Sequence, residues 1–103
     1  MQINLNDVLA DMADSMNTEL VAGGAEMGQF ALQALQEKEA SIRELYMALQ
    51  TGELSPSELD EELKREMLVF EVEALSLQTM NKVMWAKAIN AAAGALIKVA
   101  MPV

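Results

Sequence analysis

From Leu59 onward the apolar residues fall at Leu59, Leu63, Met67, Phe70, Ala74, Leu77, Met84, Ala88, Ala91 and Ala95. Steps of three and four residues put them on one side of a helix and predict one of roughly 45 residues, over 56–100. Leu68, Val72, Leu75, Val83, Ile89 and Leu96 lie off that seam. A helix that is apolar on more than one side is not satisfied by a single partner helix. The pattern therefore predicts a chain that packs against several helices, copies of itself included.

A second helix is expected from about Ala25 to Leu49, through Met27, Phe30, Ala31, Ala34, Leu35, Ile42, Leu45 and Tyr46. Ile3 to Leu20 is amphipathic as well, with Leu5, Val8, Leu9, Met12 and Met16. Gly23-Gly24 separates these two stretches, and each Gly weakens a helix by about 1 kcal/mol relative to Ala. Because the acidic and apolar pattern resumes at once, the pair is read as a kink or a point of close packing in a helix over about 3–51. Between the arms, Gly52 suits a left-handed helix end. Ser55, Pro56 and Glu58 then have the spacing of an N-cap, a first-turn proline and a capping box. Asp60, Glu61 and Glu62 follow where acidic side chains favour the helix dipole.

These elements predict an all-α, single-domain antiparallel hairpin over 1–103 that bends near 50–56 and assembles into an oligomeric helical bundle. Folding there pairs positions whose numbers sum to about 107. Met12 and Met16 then oppose Ala95 and Ala91, and Gly24 and Gly28 oppose Val83 and Thr79, near Met80 and Met84. Large residues meet small ones, as close helix approach requires.

Composition sharpens the picture. Apolar residues are 52% of the chain. With Gly counted in and Tyr left out they reach about 56%, against roughly 45–50% in an average soluble domain. A thin helical protein of 103 residues has much surface for its volume, so association is the expected outlet. The charge is −9, which disfavours nucleic acid, because a negative field repels phosphate. Residues 1–26 carry Asp7, Asp11, Asp14, Glu19 and Glu26 without a base, while 74–103 carry Lys82, Lys87 and Lys98 without an acid. The two ends are complementary and should lie side by side.

Candidate chemistry is sparse. With no His and no Cys, the commonest general base and metal ligand and all thiol chemistry are missing. Ser15, Ser41, Ser55, Ser57 and Ser76 have no activating partner, so no enzyme and no cofactor is expected. Glu37, Glu39 and Glu44 face Glu71, Glu73 and Lys64–Arg65 in the hairpin register. A hard cation is one reading of that cluster; a solvated acidic face with Glu44 near Arg65 is preferred. Gly24 to Gly28 has small-x-x-x-small spacing, read as soluble close packing. The nine Met are read as core or subunit interface rather than an adaptable groove. Trp85 is read as an interface anchor. Asn81 is read either as a register-setting core polar residue or as pointing outward. Ala88 to Ile97 is too short to span a bilayer. Burial in an assembly is preferred for 83–101 over lying on a membrane surface. The N-terminus lacks the form of a secretory signal, so a cytoplasmic protein or one exported without a cleaved signal is expected.

The stretch from Ser55-Pro56-Ser57-Glu58-Leu59 through Phe70-Glu71-Val72-Glu73-Ala74 to Lys87-Ala88-Ile89-Asn90 and Leu96-Ile97-Lys98 resembles the C-terminal helix of type III secretion rod and needle subunits. The resemblance implies a small helical protein with a proline-containing bend, whose final helix lines a helical polymer. The usual terminal Gln is absent; this chain ends Met101-Pro102-Val103. The expected function is a non-enzymatic, self-assembling scaffold, a homo-oligomer in a secretion or phage-like tube. Its interface is expected at Met67, Phe70, Leu77, Met84, Trp85, Ala88, Ala91 and Ala95. One alternative is a small acidic dimeric chaperone or adaptor that shields an apolar helix of a client protein. Another is a carboxylate metal-binding bundle.

Overall fold

A computed structural model describes residues 4–20, 24–76 and 81–101, with 24–27 described by backbone alone. It is all-helical among those residues. Its elements are α1 (Leu5–Glu19), α2 (Gly24–Glu37), α3 (Glu39–Thr51), α4 (Pro56–Met67), a 3₁₀ turn (Leu68–Phe70), α5 (Glu71–Leu75) and α6 (Lys82–Ala100).

The turn between α3 and α4 has the chemistry its residues dictate. Gly52 sits at φ 82° as the left-handed C-cap of α3, where a side chain would be strained. The Ser55 hydroxyl accepts from the Glu58 amide at 3.2 Å, and the Glu58 carboxylate accepts from the Ser55 amide at 2.9 Å. Both halves of the capping box are closed, with Pro56 in the first turn.

The long arms are segmented. The first ends at Glu19, restarts at Gly24 and bends at Lys38, which has φ −104° and ψ 20° between α2 and α3. Gly23 itself lies outside the described residues. α1 packs along α2, and its most extensive pairing is with α6, so the helix expected over 3–51 folds back on itself. At Gly28 the two helices approach closely: a Cβ there would lie 3.0 Å from the Asn17 side chain. The second arm tightens into the 3₁₀ turn after Met67 and reaches a turn at Ser76. It begins afresh at Asn81, whose side chain accepts from the Met84 amide at 2.9 Å. Asn81 is therefore an exposed N-cap, not a core polar residue. Thr79, expected opposite Gly28, and Met80, expected near that pairing, lie outside the described residues.

These breaks let one chain enclose its own core. α1 contributes Val8, Leu9, Met12, Ala13 and Met16, and α6 contributes Trp85, Ala88, Ile89, Ala92, Ala93, Leu96 and Ala100. Leu35, Ile42, Leu49, Leu59, Leu63, Met67 and Phe70 complete it. Large residues on α1 and a run of Ala on α6 share the most extensive helix contact. Part of the expected apolar surplus is taken up here, as twenty-three described hydrophobic residues are buried within one copy.

The seam on α6 is also turned. Trp85, Ile89, Ala92 and Leu96 are buried, while Met84, Ala91 and Ala95 are half-buried. Counting steps from Leu77 carries one phase through a helix that actually restarts at Asn81, and the new start resets which side faces inward.

Candidate association surfaces

The residues expected at a subunit contact are largely spent inside the chain. Met67, Phe70, Trp85 and Ala88 are buried, and Met84, Ala91 and Ala95 line its edge. Leu77 lies outside the described residues. Trp85 packs against Phe30, ring centroids 5.7 Å apart and planes at 54°. The Trp85 indole N–H has no hydrogen-bond partner among the described residues. The anchor expected between subunits holds α2 against α6 instead.

Among the described residues, the large apolar side chains that remain outside fall into three groups. Leu68, Val69 and Val72 are 58, 66 and 81% exposed and follow one another through the 3₁₀ turn into α5. Val83 and Met101 lie at the two ends of α6, 63 and 46% exposed. Met47 is 56% exposed beside a groove between α3 and α4. Leu68, Val72 and Val83 were visible in the sequence as apolar residues off the seam. Their exposure was not, because an unbroken helix gives no reason to turn one side to water.

The α3–α4 groove has a volume of about 550 Å³, floored by Leu45, Met47, Ala48 and Leu54 and rimmed by Glu44, Glu53, Glu62 and Glu66. Glu62 is held by Arg65 at 2.9 Å and Glu66 by Lys38 at 3.3 Å. Arg65 thus pairs within its own helix rather than with Glu44. Glu44 and Glu53 make no ion pair among the described residues. The other pairs, Arg43–Glu39 at 3.3 Å and Lys64–Asp60 at 3.1 Å, are exposed contacts within single helices, and such pairs add little stability.

A second groove, between α1 and α6, has Asp11, Asp14 and Ser15 on one bank and Gly94, Ala95, Lys98 and Val99 on the other. The acidic N-terminal helix and the basic C-terminal helix thus lie alongside each other, as their charges anticipate. Glu37 and Glu73 share a crevice of about 70 Å³ with Phe30 and Phe70. Among the described residues, no three acidic side chains gather where they would hold a metal ion.

One carboxyl has a displaced titration. The Ser55 amide, and after it the Ser55 hydroxyl, hold the Glu58 carboxyl below its ordinary value of 4.5. This is the capping box of α4, and Glu58 lines neither groove. α6 is long and apolar enough to cross a membrane, with 19 residues and a mean hydropathy of 1.3. The same stretch supplies one wall of the core, and a core helix meets the same criterion. No family model, curated protein or solved structure matches the chain.

Proposed function

We propose that this chain is a non-enzymatic helical structural protein that associates with copies of itself while each copy keeps its own core. The observation that carries this reading is the run Leu68, Val69 and Val72, three large aliphatic side chains, each more than half exposed, in one short stretch. Contiguous apolar surface of this kind marks a contact site more often than it marks free surface. The −9 charge keeps such a surface soluble between encounters. On this reading the helices on either side of the Gly52–Ser55 turn are the arms of a folded-up hairpin, and copies add through surfaces that this folding leaves outside. The finer reading, a subunit of a secretion or phage-like tube, rests on the resemblance of the stretch from Ser55 to Lys98.

The test is the doubly substituted chain Leu68→Ser, Val72→Ser. Both positions are exposed, so helical content should be preserved. Light scattering over a concentration series should show the parent gaining mass and the variant lagging by more than about tenfold in concentration, as loss of two aliphatic contacts implies. A parent that keeps the mass of a single chain at every concentration removes the proposal.

A further inference from the structure

The α3–α4 groove is open, and one side of the N-terminal half of α6 is exposed among the described residues. Resting on the self-association reading, we infer that the groove of one copy receives the N-terminal half of α6 from the next, so that copies add head to tail. The groove carries Leu45, Met47, Ala48 and Leu54, and its carboxylates Glu44 and Glu53 make no ion pair among the described residues. The exposed side of α6 presents Lys82, Val83, Ala86, Lys87 and Asn90. It offers an aliphatic side chain for the floor and two ammonium groups for the rim. Neither lysine makes an ion pair among the described residues.

Size agrees as well as charge. From Lys82 to Asn90 a helix rises about 12 Å, and the α3 bank of the groove from Ser41 to Thr51 rises about 15 Å. A copy cannot fill its own groove. Its α6 already packs on α3 and α4 through the opposite side, and no α6 residue lines the groove. Two different patches that fit each other make a heterologous contact, which repeats into a ring or filament rather than stopping at a two-fold dimer. Complementary charge at the rim sets register and excludes wrong partners.

Two charge reversals test this, Glu44→Lys in the groove and Lys87→Glu on α6. Both positions are exposed, and circular dichroism should report unchanged helix. Each variant alone should need about tenfold more protein than the parent to reach the same mass in light scattering at low salt, because like charges then face each other. An equimolar mixture should regain the parent's behaviour, since each variant's groove then matches the other's α6. Association of the parent with no effect of either reversal, or weakening without rescue in the mixture, overturns this pairing and leaves self-association standing. Growth that stops at a discrete dimer overturns the head-to-tail arrangement. A parent that never associates removes both readings.

Discussion

Two glycines show how one residue type takes opposite roles along this chain. Gly52 is held at φ 82°, and nothing lies within 4 Å of where its Cβ would be. The constraint there is purely the backbone, so Gly52→Ala should cost about 1–2 kcal/mol although it clashes with nothing. Gly94 sits inside α6, also with open space around it. There Ala should add about 0.5–1 kcal/mol by removing the entropic penalty of a mid-helix Gly. Thermal unfolding of the two variants should therefore shift in opposite directions. Shifts of the same sign would mean that α3 does not end, or α6 does not run, where the structure places them. Sequence spacing anticipated Gly52 as a helix end because three further signals follow it within six residues. Trp85 was legible as important and misread as to partner, since spacing identifies a large ring on an apolar side without saying whose side chain covers it.

The elements divide by how strongly their ends are signed. Ser55, Pro56 and Glu58 each satisfy a separate requirement of a helix start, and the structure begins α4 at Pro56. Asn81 carries only one such signal, and the apolar steps run through it, so the start of α6 was hidden in apparent continuity. The 3₁₀ turn at Leu68–Phe70 contains neither Gly nor Pro and was not legible. With these breaks missed, the α6 seam was counted in the wrong phase and the exposed strip at Leu68 and Val72 went unrecognised as surface. The capping box makes its own prediction. The Glu58 carboxyl titrates below its ordinary 4.5, so the folded state favours its charged form. The stabilisation is present above the ordinary carboxylate value and is lost as pH falls through the lower folded value. Replacing Glu58 by Gln should lower the melting temperature at pH 7. The gap from the parent should close as the pH is taken below about 4. A gap that stays constant down to pH 2 would show that charge at this cap contributes nothing.

At the scale of the molecule, the described core is closed by the chain's own helices. Two arms of about 45 residues would form a rod some 67 Å long with a radius of gyration near 20 Å, and their seams would need neighbours to leave water. The chain instead measures 40 × 23 × 22 Å with a radius of gyration of 12.9 Å, close to the ~13 Å expected of a compact fold of this length. The difference comes from the folding back of α1 onto α2 and α6, which turns one long apolar seam into the wall of an enclosed core. On the self-association proposal, copies that are already folded would join through surfaces left outside that core. Dilution should therefore reduce the scattering mass and leave helicity unchanged, since no core residue is uncovered when copies part. Small-angle scattering on the most dilute sample should give a radius just above the Cα value, with the solvation layer accounting for the excess. A helical signal that falls with dilution, or a radius near 20 Å, would mean that the arms stay extended and that neighbouring chains, rather than the chain's own α1, close the core.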